Sequence, residues 1–299
     1  MFYEYALDPQ VVSTWGERDN YRFFKREFEF GRGRLVSRYP KKWIKKVWEH
    51  AKPKSDIEQK RLEILLKGLR EIMVKRVNPH WDGSGSDWLK NALVEHKRFP
   101  FHAILAQENH RGSQVITEDE VVDQHELWDI PRDMPVKREA NEMARAVSGL
   151  LTYSKWIKFI DPYISKTKRE YKRSISAFLK ILAGQRPVGP PFSVELHAKP
   201  CGVSKDFLCD FYSKIIPPDL KVTLFLWNEK PGGQKFHNRY ILGDIGGVAF
   251  GHGLDEGRGC EMDYLTRLGE EQYDLCCKQY NRNSAFFDLL EDPLILPRD

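Results

Sequence analysis

Cysteine is scarce in this chain, and the cysteines it has are odd in number. None of the five forms a CxxC pair. Two of them are adjacent on a predicted helix, where they cannot both face one metal ion. The pattern excludes a disulfide framework, argues against a structural zinc site and is typical of reduced cysteines in the cytosol. The cysteines are Cys201, Cys209, Cys260, Cys276 and Cys277.

Long apolar segments are also missing. No apolar run approaches the ~20 residues that a membrane-spanning helix needs. The first five residues, MFYEY, lack the basic and apolar regions of a secretory signal, so we expect a cytoplasmic protein. Aromatic residues make up 12% of the 299 residues. This content argues against disorder, and the length suits one large or two ordinary domains.

Charge is distributed unevenly along the chain. Residues 1–100 carry 22 Lys and Arg against 14 Asp and Glu, a net charge of +8, whereas the remainder carries −3. Basic clusters at 32–34, 41–42 and 45–46 alternate with the aromatic residues Tyr39, Trp43 and Trp48. Such a pattern favours a surface that binds nucleic acid or another anion. It is also typical of a solvated helix face, and the sequence leaves both interpretations open.

Hydrophobic periodicity predicts two domains. The first, residues 1–135, is predicted to be a basic, helix-rich module. Helices are expected over 41–51, over 55–76 behind a Ser55–Glu58 capping box, and over 87–96. A single buried strand is expected at 101–106. The second domain, residues 136–299, alternates strands with helices and is predicted to be an α/β domain.

The second domain brings several polar side chains to one edge of its predicted sheet. If the strands near 156–160, 192–197 and 220–227 are parallel, three polar residues lie at their carboxyl ends, where open α/β sheets bind ligands. These residues are Asp161, His197 and Lys199. The next strand, 236–242, follows a connection too short for a crossover helix, so it should return antiparallel. His237 and Arg239 would then meet Asp161 and His197 at this edge.

The segment FHNRYILGD, residues 236–244, suits phosphate chemistry. Alternate strand residues share a face, which places His237 and Arg239 together. A neutral histidine can attack phosphorus or act as acid and base, and arginine can bind two phosphoryl oxygens. The alternative for Arg239 is a structural ion pair with Asp161 or Asp255. Asp244 either pins the local geometry or is an ordinary turn residue.

This segment resembles the HxK(x)4D(x)6G signature of the phospholipase D superfamily, with Arg239 in place of lysine and Gly251 as the glycine. The run through Gly251-His252-Gly253 is most similar to the divergent phospholipase-D-like domain that follows microtubule-interacting-and-transport domains, and to its bacterial relatives. The resemblance covers residues 140–285. It implies a phospholipase-D-like mixed sheet flanked by helices, in which two motifs supply two histidines.

The chain departs from this family in having one such motif, because His197-Ala198-Lys199 lacks the following aspartate. The resemblance therefore implies a homodimer, or a second base such as His252 or His197. The predicted catalytic residues are His237, Arg239, Asp244 and His252, and the predicted substrate-binding residues are Asp161, His197, Lys199 and Gly251.

The sequence thus predicts a metal-independent phosphodiesterase, without cofactor, that cleaves nucleic acid. His237 is the expected nucleophile and Arg239 the expected phosphate ligand, and the second histidine would come from a dimer mate or from His252. The bacterial relatives suggest a role in antiviral defence. The alternative is a catalytically inactive module that binds phosphate, nucleic acid or anionic lipid as a subunit of a larger complex. Retention of binding without turnover in a His237 variant would distinguish the two.

Overall fold

The computed structural model describes residues 1–83, 87–109, 112–121 and 125–297. The chain divides into two compact units, one of residues 2–131 and one that begins at Arg132 and includes Met1. The first unit contains a parallel sheet and the second a mixed sheet, each flanked by helices. The predicted α/β class is therefore confirmed.

The described residues of the N-terminal unit form five parallel strands in the order β3-β2-β1-β4-β5. The strands are β1 (Tyr3–Leu7), β2 (Arg34–Ser37), β3 (Met73–Val74), β4 (Ala103–Leu105) and β5 (Val115–Ile116). Only β4 is predicted by the sequence, so the description of this module as simply helix-rich is incomplete. The other strands escape prediction because they are two to five residues long and show no clear alternation.

Helices connect these strands. They are α1 (Pro9–Val12), α2 (Arg18–Glu27), α3 (Trp43–His50), α4 (Asp56–Leu69) and α5 (Trp88–Arg98). The three predicted helices correspond to α3, α4 and α5. Helix α4 begins as expected, because the Ser55 hydroxyl accepts a hydrogen bond from the Glu58 backbone N–H at 3.3 Å. It ends at Leu69 and not near Arg76, since Met73 and Val74 pair with β2.

Two of the aromatic residues between the basic clusters belong to the core of this unit. Tyr39 and Trp43 are fully buried, and the Trp43 indole N–H donates to the Leu7 carbonyl at 2.7 Å. Only Trp48 keeps a third of its surface exposed, at 36%. The alternation of basic and aromatic residues therefore reflects one buried and one solvated side, and not a base-stacking surface.

The described residues of the C-terminal unit form a sheet of nine strands. Its main path runs β13-β9-β8-β7-β10-β11-β12-β6, and β14 also pairs with β9. The strands are β6 (Asp133–Lys137), β7 (Trp156–Ile160), β8 (Ser193–Ala198), β9 (Val222–Glu229), β10 (Tyr240–Gly243), β11 (Gly246–Phe250), β12 (Met262–Arg267), β13 (Phe287–Leu289) and β14 (Leu294–Leu296). Strand β6 pairs with β12, so the predicted boundary after residue 135 would divide a strand of this sheet.

The central strands of this sheet run as predicted. Strands β7, β8 and β9 are parallel, and β10 lies antiparallel to β7, with Tyr240 opposite Ile160. The helices are α6 (Ala140–Ala146), α7 (Ser148–Tyr153), α8 (Arg169–Ala183), α9 (Lys205–Ser213) and α10 (Glu270–Gln279). Helix α8 covers one face, where Phe178 stacks on Phe159. Among the described residues, no helix is long and apolar enough to cross a bilayer.

Candidate functional site

The strand that carries the predicted motif begins later than expected. Strand β10 starts at Tyr240, so His237 and Arg239 lie in the segment that leads into it. Continued pairing with β7 would place Asn238 opposite Pro162, which has no backbone N–H to donate, and the ladder therefore stops. His237 is exposed, and its Nδ1 lies 3.1 Å from the Lys235 carbonyl. The other ring nitrogen, Nε2, is therefore available to contact a substrate.

Arg239 is placed beside the end of β7. One residue beyond the pair Tyr240–Ile160, the register sets Arg239 opposite Asp161, so both side chains project from the same face. The Arg239 carbonyl accepts the Phe250 N–H at 3.0 Å, which makes this the last bond of the β10–β11 hairpin. The predicted proximity of Arg239 and Asp161 is confirmed.

The Arg239 side chain has an unmatched donor. The guanidinium carbon lies 5.8 Å from the centre of the Tyr163 ring. The Nε atom is buried and has no hydrogen-bond partner among the described residues. Because a buried donor without an acceptor is costly, an oxygen atom from a ligand or from an ordered water would satisfy it. An oxygen-rich anion supplies one.

Asp161 positions neighbouring groups of the site and is not itself accessible to a substrate. Its side chain is fully buried. One carboxylate oxygen accepts from the Tyr163 N–H at 2.8 Å and the Tyr171 hydroxyl at 3.1 Å, and the other accepts from the Leu254 N–H at 2.9 Å. Burial raises the pKa of Asp161, and these donors and the charge of Arg239 offset part of that rise. Its predicted substrate-binding role is thus replaced by a positioning role.

His252 follows β11 and forms a dyad with a buried carboxylate. The Nδ1 of His252 lies 3.2 Å from Asp263 Oδ1, and the His252 backbone N–H also donates to Asp263 at 3.2 Å. Asp263 is fully buried, whereas 61% of the His252 side chain is exposed. This arrangement favours the tautomer with hydrogen on Nδ1, so Nε2 presents its lone pair to solvent.

Gly251 makes the dyad possible by leaving space. A Cβ atom at residue 251 would lie 2.7 Å from Asp263 Oδ1, and one at Gly253 would lie 2.5 Å from Asp255 Oδ1. At either distance a side chain would displace the carboxylate, so these glycines let the carboxylates approach the backbone. Gly251 is therefore a positioning residue for His252, which differs from its predicted contact with substrate.

The loop after His252 is held by ion pairs. Arg138 binds Asp255 at 2.9 Å and Glu261 at 2.7 Å, and Arg173 binds Glu256 at 3.1 Å. Asp255 is thus paired with Arg138. Of the two structural partners expected for Arg239, which were Asp161 and Asp255, Asp161 is the one that remains. These ion pairs attach the loop that follows His252 to Arg138 and to Arg173 of α8.

His197 lies on the opposite face of the sheet, so its predicted convergence with Arg239 is wrong. Ile160 is the direct neighbour of His197 in the ladder, and Asp161 therefore points the other way. The His197 ring is fully buried. Its Nδ1 accepts from the Trp227 indole N–H at 2.9 Å, and its Nε2 lies 2.9 Å from Glu195. Both ring nitrogens are occupied, which makes His197 a structural core residue.

The burial of His197 predicts a loss of stability in acid. Desolvation lowers its pKa, although the bond to Glu195 opposes the shift. Below pH 6.5 the unfolded chain binds a proton at this site that the folded chain resists. Stability should therefore fall as pH decreases, by up to about 1.4 kcal/mol per pH unit. Urea unfolding between pH 4.5 and 8 measures this slope.

His197→Gln is the matched variant for that experiment, since an amide can accept from Trp227 and donate to Glu195 without titrating. We expect this variant to flatten the pH dependence below pH 6.5. An unchanged slope would contradict the assignment to His197. His80→Gln, at an exposed position, is the control.

Lys199 is bound to a carboxylate of the neighbouring strand. Its Nζ lies 2.5 Å from Glu229 Oε1, and Glu229 also accepts from the Phe236 N–H at 2.9 Å and binds Lys235 at 3.1 Å. The hydrogen bond from Lys199, followed by the other donors, lowers the pKa of Glu229 to about 2. Lys199 thus helps to anchor the segment that carries His237.

Asp244 lies away from the other candidates, so its catalytic assignment is wrong. It occupies the turn after β10, about 17 Å along the strand from Arg239 at ~3.4 Å per residue. One of its oxygens accepts from the Lys155 N–H at 2.6 Å. Asp244 therefore fixes the turn and the start of β7, as the structural interpretation of this residue predicts.

The sequence prediction missed Asp263, Tyr163 and Tyr171. A signal for Asp263 was present, because it alternates with Leu265 in β12 and thus falls on the buried side of the strand. A carboxylate at such a position requires nearby donors. No comparable signal marks the tyrosines, whose contacts depend on how the segments after β7 fold back over Asp161.

The structure therefore brings Arg239, Asp161, Asp263 and His252 to one face, with His237 exposed at the same edge. It places His197 on the other face and Asp244 at the far end of the strand. Comparison with protein-family models and with curated protein sequences gave no match.

Proposed function

We propose that the C-terminal unit is a phospholipase-D-like phosphodiesterase that acts on nucleic acid. One observation carries the proposal: the buried, unmatched Nε of Arg239 lies at the same sheet edge as a histidine oriented by a buried carboxylate. An arginine donor suits phosphoryl oxygens, and an oriented histidine suits attack on phosphorus. The net charge of +8 in residues 1–100 favours a polyanionic substrate.

His252 is the proposed nucleophile, in preference to His237. Its Nε2 attacks phosphorus to form a P–N bond while the bond from phosphorus to the leaving oxygen breaks. Asp263 stabilises the positive charge that this attack leaves on the imidazole ring. Among the residues that the structure describes, Nδ1 of His237 contacts the Lys235 carbonyl and has no carboxylate beside it.

His237 is the proposed acid. The last hydrogen bond of the β10–β11 hairpin joins Arg239 and Phe250. His237 lies two residues before Arg239 and His252 two residues after Phe250, so both histidines lie just beyond that bond. Protonated His237 gives its proton to the leaving oxygen and then accepts one from water. That water attacks phosphorus, breaks the P–N bond and restores neutral His252. Both histidines come from one chain, so this scheme does not require a dimer.

Cleavage assays with the purified chain test the proposal. The substrates are labelled single- and double-stranded oligonucleotides and bis(p-nitrophenyl) phosphate, each with and without EDTA. We expect EDTA-resistant cleavage. Arg239→Ala should lower kcat/KM by about 10²–10³-fold, because it removes the donor to the developing charge, and Arg239→Lys should recover part of the loss.

Arg258→Ala, at an exposed position in the same unit, is the control and should leave the rate unchanged. Wild-type protein that binds oligonucleotides but cleaves none of the substrates would support the phosphate-binding module instead. Cleavage that EDTA abolishes would contradict the proposed chemistry.

A further inference from the structure

We infer that a basic groove in the N-terminal unit binds the phosphodiester backbone of a nucleic acid strand. The groove has a volume of about 430 Å³, which is within the usual range for ligand sites. Its lining consists of Arg38, Lys41, Lys42, Ile44, Lys45, Arg70, Met73 and Lys75. Six of these side chains are cationic, and among the described residues that line it none is acidic.

The strand order explains why these cations gather. Strands β2 and β3 are parallel neighbours, with Ser37 opposite Val74, so Arg38 and Lys75 follow their carboxyl ends at one edge. The Arg38 N–H donates to the Val74 carbonyl at 2.8 Å, which keeps the two segments together. Residues 41–45 lie at the start of α3, and Arg70 follows α4. Four separate segments thus contribute charge of one sign.

Most of this charge is uncompensated. Lys41, Lys42, Arg70 and Lys75 are exposed, and none of them forms an ion pair with a residue that the structure describes. Lys45 has only an exposed partner, Glu49 at 3.6 Å. Clustered cations without counter-charges repel one another. The phosphates of a bound polyanion neutralise these charges, and the counterions that the polyanion releases make binding more favourable.

The groove fits phosphates and not bases. Tyr39 and Trp43, the aromatic residues closest in sequence to these cations, are fully buried and cannot stack on a base. The apolar lining residues, Ile44 and Met73, are half-buried. Contacts limited to phosphates predict binding that is independent of sequence and strongly dependent on salt. A concave site without protruding apolar side chains suits a nucleic acid strand better than a bilayer surface.

This inference rests on the proposed function only in taking the bound strand to be the substrate. Binding itself is measured without turnover, so the two can fail separately.

Fluorescence anisotropy with a labelled 20-nucleotide single strand tests the groove, at several salt concentrations and in EDTA. The test variant is Lys42→Ala/Arg70→Ala/Lys75→Ala. Because each phosphate contact contributes about 0.7 to the slope of log K against log[salt], the triple variant should lower the slope by about 2. Its Kd at low salt should rise at least tenfold. A gel run afterwards confirms that the probe is intact.

Lys25→Ala/Lys90→Ala/Lys97→Ala is the matched control, since it removes three exposed charges from the same unit outside the groove. It should keep the wild-type slope, and melting temperatures confirm that both variants fold. Equal slopes for the groove and control variants would overturn the inference. Groove-dependent binding to anionic phosphatidylserine vesicles, without binding to the oligonucleotide, would also overturn it.

The hydrolysis of bis(p-nitrophenyl) phosphate separates this result from the proposed function. This small diester reports the chemistry of the C-terminal unit, and the control variant Lys25→Ala/Lys90→Ala/Lys97→Ala should hydrolyse it at the wild-type rate. A wild-type chain that binds the oligonucleotide through the groove but hydrolyses nothing would refute the proposed function and leave the groove standing.

Discussion

Replacing Arg76 with alanine should destabilise the N-terminal unit by about 3–5 kcal/mol, because it removes the cation bound to buried Glu4 and one of the two cations bound to buried Glu95. The side chains of Arg76, Glu4 and Glu95 are all fully buried. Arg76 binds Glu4 through two nitrogens, at 2.9 and 2.7 Å, and Glu95 at 3.0 Å. Its guanidinium carbon also lies 3.7 Å from the centre of the Phe101 ring.

The effect should be large because these residues join separate parts of the sheet. Glu4 lies in β1, Glu95 in α5, and Arg76 just after β3. The Arg76 side chain further donates to the Phe99 carbonyl at 2.8 Å. Without it, Glu4 must either bind a proton or remain buried as an uncompensated charge, and Glu95 keeps only the partly exposed Arg98 at 3.2 Å.

Urea unfolding at pH 7, followed by far-UV circular dichroism, measures this loss. Arg70→Ala, at an exposed position six residues earlier, should change stability by less than about 0.5 kcal/mol. Arg76→Lys should be intermediate, because a single ammonium group cannot reproduce the two-nitrogen contact with Glu4. Equal stability of Arg76→Ala and Arg70→Ala would contradict the argument.

This network also illustrates why the N-terminal sheet could not be predicted from sequence. Glu4 occupies a central strand of a sheet, where a charged residue ordinarily argues against burial. Its burial becomes intelligible only with Arg76, 72 residues later. The two edge strands, β3 and β5, are each two residues long. They are identified by their pairing with neighbouring strands and not by a hydrophobic pattern in the sequence. Tertiary contacts decide these elements.

The C-terminal sheet was more predictable, because chain connectivity constrains it. A short connection between β9 and β10 requires an antiparallel return, and this placed Arg239 beside Asp161 correctly. The exact ends of the strands could not be predicted from sequence, and an error of one residue moves a side chain to the other face of the sheet. For this reason His197, which is close in sequence to the sheet edge, projects from the face opposite to that of Asp161.

The candidate site itself depends on two buried carboxylates that hold one loop. Asp161 binds the Leu254 N–H, and Asp263 binds His252. Their positions, 102 residues apart in sequence, are set by β7 and β12. Sequence spacing could identify His252 as a candidate base, but only the sheet register reveals the carboxylate beside it.

His252→Asn should lower the rate of phosphodiester cleavage by at least about 10³-fold, because it removes the proposed nucleophile. Asp263→Asn should also reduce the rate, since an amide cannot balance the charge that forms on the ring. His237→Asn should slow departure of the leaving group and the subsequent hydrolysis of the P–N bond. Steady-state assays with bis(p-nitrophenyl) phosphate give kcat and KM for each variant.

Rapid acid-free quenching with a labelled substrate distinguishes the two histidines. A covalent phosphohistidine should form in wild type, accumulate in His237→Asn and be absent in His252→Asn, and peptide mapping should locate it on His252. His80→Asn, an exposed histidine in the other unit, should behave as wild type. An adduct on His237, or full activity of His252→Asn, would contradict this assignment and indicate that His237 is the nucleophile. The Asp263 contact predicts an adduct on His252, because among the described residues a carboxylate lies beside His252 and none lies beside His237.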